Sequence, residues 1–155
     1  MSFKGVYEYN IQNDEWTDLN TSMLQSRSDH ACLLIDQKEI IVVGGSGDGD
    51  YVGGTYKSNY LTSSEIFNLK ERTWRPGPSL FFGTNGAQFV KAKNGSKYMA
   101  YIMGGLGDSD NSLYSAVYGL SNDVKWFEKI GDLKKQRLGH VAFLLPDNIS
   151  HRCVG

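Results

Sequence analysis

The sequence predicts an all-β chain built from repeated four-stranded units, and three observations carry that prediction. The first is a recurring spacing. Trp16 is followed after 11 residues by Arg27, after 14 by His30 and after 28 by the doublet Gly44-Gly45, and Trp126 is followed at the same 11 and 14 by Arg137 and His140. Trp74 keeps a doublet, Gly104-Gly105, 30 residues on, with Asn85 and Gln88 at the Arg and His places. The second is that the apolar runs are short and bounded by turn-forming or charged residues, which reads as strands. The third is the composition: 18 Gly against 3 Pro implies many tight turns. Self-similarity at 58 and 52 residues, Trp16 to Trp74 to Trp126, makes the repeat the organising unit.

With the strands of a unit lettered A to D, the chain opens on C and D, Val6 to Trp16, and Tyr9-Asn10 precedes the first Trp. The first whole unit reads His30 to Ile35, Glu39 to Val43, Ser64 to Asn68 and Arg72 to Trp74, and the second Ala87 to Val90, Lys97 to Met103, Ala116 to Tyr118 and Lys125 to Phe127. Val124, Phe127, Ile130 and Leu133 recur every third residue, close to a helical stripe, but the offsets from Trp126 to Arg137 and His140 favour a strand there. Gly139 to Gly155 then supplies an A strand and the start of B, with Cys153-Val154-Gly155 falling over Val42-Val43-Gly44. The expected parts are therefore 6–16, 27–75, 84–128 and 137–155.

Sixteen basic and 17 acidic side chains leave a formal charge of -1, so no global field favours nucleic acid or an anionic membrane. No run reaches the length of a membrane span, and Met1 to Gly5 lacks the apolar centre of a signal peptide. Cys32 and Cys153 make neither a disulfide framework nor a zinc site and read as reduced thiols; a cytoplasmic location is expected. Three Asn-x-Ser/Thr triplets, at Asn20, Asn94 and Asn148, matter only for a secreted protein.

Together these residues resemble kelch repeats, the blades of a β-propeller, from about Val6 to the last residue. The residues that carry the likeness are Arg27 and His30, the strand Ile40 to Val43, Gly44-Gly45, Glu65-Ile66-Phe67-Asn68 and Trp74, with Tyr118 and Trp126 closing the next copy. Asn85, Gln88 and Gly119 depart from the pattern and bear on local packing. The resemblance implies two full four-stranded blades flanked by two half blades. Propellers typically need four to eight blades, so a fragment of a longer parent chain is expected.

In that frame Trp16, Trp74, Trp126 and the doublets Gly44-Gly45 and Gly104-Gly105 are packing residues, and His30 and His140 are expected to hydrogen-bond within their blades. Function falls to the loops. The B-to-C loop Ser46 to Ser63 carries Asp48, Asp50, Tyr51, Tyr56 and Tyr60; its counterpart carries Asp108, Asp110, Asn111 and Tyr114; Arg27 and Arg137 lie on D-to-A turns of the same face. A Tyr, Arg and Asp surface suits recognition of a protein or peptide, set against the plainer reading of solvated connections. The candidate contacts are Arg27, Tyr51, Tyr56, Tyr60, Asp108, Asp110 and Arg137. Gly44 to Gly49 lacks the Gly-Lys-Ser/Thr ending of a phosphate loop, and the Asp clusters lack the Gly and Glu of an EF-hand, so neither cofactor nor metal is expected. The resemblance implies a non-enzymatic interaction module, either the substrate-recognition part of a ubiquitin-ligase adaptor or an actin-binding protein. The alternative is a piece of a propeller enzyme of the copper radical oxidase or sugar epimerase type, but His30 and Cys32 find no Tyr partner in the sequence.

Overall fold

The computed structural model of the chain describes residues 3–52, 55–107 and 112–145, the side chains of 50–58 excepted. Every regular element among them is a β-strand, and all pairing is antiparallel.

The chain begins with a hairpin of β1 (Phe3–Asn10) and β2 (Glu15–Arg27). Its turn is made by Asn10, whose Oδ1 accepts from the amides of Gln12 at 2.9 Å and Asn13 at 3.3 Å, while Asp14 takes the left-handed conformation at φ 55°. A short polar side chain that bonds its own backbone two residues on is what a tight turn of this kind requires. The device is used again at Asn68, which accepts from Lys70 and Glu71 with Arg72 at φ 55°. The connection after Ser121 is as long but closes differently: Ser121 Oγ accepts from the amides of Lys125 at 3.0 Å and Trp126 at 3.2 Å, four and five residues on, with Val124 at φ 56°.

The first four-stranded sheet comprises β3 (Ala31–Leu34) and β4 (Glu39–Val43) and, after a hairpin of β5 (Ser46–Val52) and β6 (Thr55–Tyr60), β7 (Ser64–Asn68) and β8 (Thr73–Pro76), in the order β3-β4-β7-β8. The expected B-to-C loop Ser46 to Ser63 is therefore largely a hairpin. Paired amides of Ser28 and Ser46 and a bond from Ser26 Oγ to Asp48 at 2.6 Å tie it to the end of β2, giving its backbone partners that a free loop would lack.

After β9 (Thr84–Asn85), the second sheet runs through β10 (Gln88–Lys91) and β11 (Tyr98–Met103), passes the short β12 (Leu106–Gly107) paired with β9, and ends with β13 (Ala116–Ser121) and β14 (Phe127–Asp132), in the order β10-β11-β13-β14. The every-third stripe from Val124 to Leu133 thus runs along a turn and a strand. The strand expected from Gly139 is not formed among the described residues up to Leu145, because a strand is defined by its neighbour and none of the described strands lies beside it. Residues 146–155, with Cys153, lie outside the described residues.

The two sheets share one core. Ile41, Val43 and Ile66 of the first sheet and Ala100, Ile102 and Leu120 of the second are essentially without solvent exposure. Full burial of an aliphatic side chain of this size contributes about 1.5–3 kcal/mol. The opposite face of the first sheet, with Cys32, Ile40, Val42, Phe67 and Trp74, looks toward the β1–β2 hairpin across an open groove of about 610 Å³. Hairpin, first sheet and second sheet are thus stacked in chain order.

Candidate partner-binding face

Each Gly doublet is a crossing point. A Cβ on Gly44 would meet the Thr84 carbonyl oxygen at 2.6 Å, and one on Gly104 would meet that of Arg137 at 2.5 Å; both glycines have positive φ, +65° and +67°. The second glycine of each doublet donates its N–H to the same carbonyls, Gly45 to Thr84 at 2.7 Å and Gly105 to Arg137 at 2.8 Å. The doublet is where the lead-in to the next sheet crosses the strand end of the present one, and a side chain there would have no room.

These contacts set the equivalences between copies, and they shift the sequence alignment by one residue. Arg27 Nη1 donates to the Gly44 carbonyl at 2.7 Å, and Thr84 Oγ1 donates to the Gly104 carbonyl at 3.2 Å. Thr84, not Asn85, stands in the place of Arg27, and Ala87, not Gln88, in that of His30. Likewise the β13–β14 register pairs Leu120 with Phe127 as the first sheet pairs Phe67 with Trp74. Phe127 is buried in the core, while Trp126 sits one residue early and is 45% exposed. Offsets counted from Trp126 hid this.

Several expected contacts move from the surface to the interior. Arg27 is 2% exposed. Its guanidinium reaches Glu65 Oε1 at 2.5 Å, Ser63 Oγ at 3.2 Å and the Ser63 carbonyl at 3.2 Å, while Glu65 also accepts from the amides of Leu24 at 2.6 Å and Gln25 at 3.0 Å. The pair clamps the end of β2 onto β7, so Arg27 is a structural residue and not a partner contact. Glu65 belongs to the repeat pattern, but its role as the buried counter-charge is visible only in the fold, because it lies 38 residues after Arg27 along the chain. Tyr60 is buried at the end of β6. Tyr51 and Tyr56 face each other in the β5–β6 register, but their side chains, like Asp108 and Asp110 as a whole, lie outside the described residues.

The packing residues also divide. Trp74 is half-buried against Phe67, ring centroids 4.9 Å apart, and Tyr9 and Trp16 repeat that pair at 4.9 Å, yet Trp16 is 71% exposed. No described sheet covers the outer side of the hairpin. The expected hydrogen bonds of the histidines are not made: His30 Nδ1 and both ring nitrogens of His140 are buried without a partner. Burial, and after it the charge of Arg27, holds His30 below the ordinary histidine range; burial and then Arg137 do the same for His140. Both imidazoles are neutral packing groups beside the doublets, with His30 Cβ 3.0 Å from where a Gly45 Cβ would stand.

What the face presents instead is an aromatic and aliphatic group on the lead-ins. Phe81 and Phe82 are exposed, Phe82 lies 6.2 Å from the Tyr114 ring, and Leu138 lies over Gly86 beside exposed Arg137. A backbone row runs beneath them. Gly86 N–H donates to the Asp29 carbonyl at 3.0 Å and Gly139 N–H to the Gly86 carbonyl at 3.0 Å, all three residues being left-handed at φ 51°, 66° and 58°. Two of the three are glycine and the third aspartate, residue types that accept this conformation at low cost.

No family model and no curated protein matches the chain. Among solved structures, one titled "Structure of YjhT" is similar over 86% of this chain and 53% of its own, with a TM-score of 0.63 and 14% identity. The likeness is one of fold, and the chain spans about half the length of that structure.

Proposed function

We propose that the chain is a partial kelch-type β-propeller that binds another protein or peptide through its lead-in face. In this reading the two four-stranded sheets are blades, the β1–β2 hairpin is the outer half of a preceding blade and residues 137–155 open a further one. The same turn at Asn10 and Asn68 and the same crossing at both Gly doublets support the repeat.

The observation that carries the binding role is the group of Phe82, Tyr114, Arg137 and Leu138: Phe82 lies by the Tyr114 ring, the Arg137 N–H donates to the Tyr114 carbonyl, and Leu138 is the next residue, so large apolar and cationic side chains gather at one set of lead-ins. Aromatic and arginine side chains dominate the energetics of protein interfaces. Adaptor for a ubiquitin ligase and binder of actin are the two roles this surface is proposed to serve.

Photo-crosslinking from position 82, followed by mass spectrometry, identifies the partner. Its affinity is then measured for the native chain and for Phe82→Ala with Leu138→Asp; a loss of about tenfold or more is expected from removing two interface anchors. Co-sedimentation with filamentous actin tests that partner directly. Unchanged affinity in the variant, or stoichiometric copper with oxidase turnover, overturns the reading.

A further inference from the structure

We propose that Asn94 is a site of covalent self-modification: its side chain closes onto the backbone nitrogen of Gly95 and is converted to aspartate and isoaspartate, with water as the co-reactant. The chemistry needs neither a partner protein nor any strand outside the described residues.

The sequence holds two Asn-Gly pairs, Asn85-Gly86 and Asn94-Gly95. In each, the glycine has no Cβ to obstruct the approach of the asparagine side chain to the next nitrogen, so the two pairs are equivalent along the chain. The fold separates them. Asn85 lies in β9, paired with Leu106 of β12, and its Nδ2 donates to Asp29 Oδ2 at 3.5 Å. Gly86 N–H donates to the Asp29 carbonyl at 3.0 Å, and the Gly139 nitrogen and Leu138 Cδ1 both lie 3.6 Å from where a Gly86 Cβ would stand. Nucleophile and side-chain amide of that pair are both engaged.

Asn94-Gly95 stands exposed at the tip of the β10–β11 connection with both groups free. Ser96 N–H donates to the Lys93 carbonyl at 3.1 Å and Gly95 has φ +79°, which makes a type II turn with Asn94 and Gly95 at its centre. Neither the Asn94 side-chain amide nor Gly95 N–H has a hydrogen-bond partner among the described residues, and nothing lies within 4 Å of where a Gly95 Cβ would stand. An open recess of about 320 Å³ bordered by Lys91, Asn94, Gly95 and Asn122 admits water. The base of the turn is held: Ala92 N–H donates to the Met99 carbonyl at 2.8 Å, and Asn122 Nδ2 to the carbonyls of Ser96 at 3.3 Å and Lys97 at 3.1 Å. The two central residues can therefore rotate into the cyclising geometry while β10 and β11 stay paired.

In the first step the Gly95 nitrogen attacks Asn94 Cγ. The N–Cγ bond forms, the Cγ–Nδ2 bond breaks, and the proton lost by the Gly95 amide leaves with Nδ2 as ammonia. Water then opens the cyclic imide. Cleavage of the new N–Cγ bond gives aspartate, and cleavage between that nitrogen and the main-chain carbonyl carbon of residue 94 gives isoaspartate, whose main chain runs through Cβ and Cγ. No atom is oxidised or reduced. Either product places a carboxylate next to Lys93 in sequence and takes the formal charge one unit below the native -1. Isoaspartate also makes the chain a substrate for an isoaspartyl methyltransferase, which moves the sulfonium methyl of S-adenosylmethionine onto the new carboxylate.

The test incubates the native 155-residue chain in mildly alkaline buffer, folded and in urea, and follows both Asn-Gly pairs by peptide mapping and mass spectrometry. In the folded chain, conversion at position 94 is expected to be at least about tenfold faster than at position 85, and in urea the two are expected to convert at similar rates. Labelled methyl groups from S-adenosylmethionine and isoaspartyl methyltransferase are expected on the peptide that carries position 94. Asn94→Gln, whose longer side chain must close a larger ring, is expected to lose that label while amide exchange of β10 and β11 stays as in the native chain. Equal conversion of both pairs in the folded chain, protection of both, aspartate at position 94 without isoaspartate, or undiminished label in Asn94→Gln overturns the inference.

Discussion

Removing either Arg27 or Glu65 leaves a buried charge without its partner, since the two side chains are 0% and 3% exposed. Arg27→Ala and Glu65→Ala are each expected to cost about 3–5 kcal/mol in urea unfolding, and the double variant Arg27→Met/Glu65→Leu markedly less than their sum. Additive losses would show that the pair does not act as a unit. Gly104→Ala forces a Cβ to within 2.5 Å of the Arg137 carbonyl at φ +67°, and a loss of about 1–2 kcal/mol from the left-handed backbone alone is the minimum expected. His30 titrates lower in the folded chain than its ordinary value of 6.5, so the unfolded chain binds the proton more readily. Stability is therefore full above pH 6.5 and falls as the pH drops from there through the folded value. His30→Gln removes that part of the slope; a melting temperature with the same pH dependence in both proteins contradicts the assignment. At this scale the sequence marked Arg27, His30 and the doublets by spacing, but it could not say that Arg27 faces inward, because its counter-charge arrives from β7.

Each element repeats a local plan whose closing residues are interchangeable. Asn10 and Asn68 make the same turn and Ser121 closes one of equal length by a different bonding pattern, and the aromatic that follows each lies on the strand before: Trp16 on Tyr9, Trp74 on Phe67, Phe127 opposite Leu120. Burial separates them energetically. Phe127→Ala is expected to cost about 3–5 kcal/mol, and Trp126→Ala, truncating a half-exposed ring, much less; equal effects, read from chemical denaturation, would restore Trp126 to the repeat position. Gly119 belongs here too. A Cβ on it would lie 2.5 Å from the Tyr98 ring, which reaches over to Glu128. The glycine that departs from the repeat pattern thus makes room for a tyrosine on the neighbouring strand, and Gly119→Ala should displace Tyr98 and weaken β11–β13 exchange protection before that of β4. Strand existence was legible from short apolar runs, whereas β5 and β6 were not, since their Gly, Asp and Tyr pattern has no apolar run and their hairpin is held by Ser26 of β2 and by Ser28 just beyond it.

For the whole molecule, the core between the two sheets makes them one cooperative unit. Ile102→Ala is expected to raise amide exchange in β4 as well as in β11, because both sheets bury side chains against it; a rise confined to the second sheet would show two independent units. Outside that core the chain presents two uncovered ends, Tyr9 and Trp16 on the hairpin and Val141 and Phe143 on the tail. By itself the sequence determined the all-β class, the period and the glycines at strand ends, because these depend on local propensity and on spacing along the chain. Only the tertiary structure decided which aromatic of Trp126 and Phe127 is buried, that Arg27 and Glu65 neutralise each other, and which loop residues remain on the surface. Those outcomes depend on which strands lie beside and above a residue, and a shift of one position in a strand turns its side chain to the opposite face.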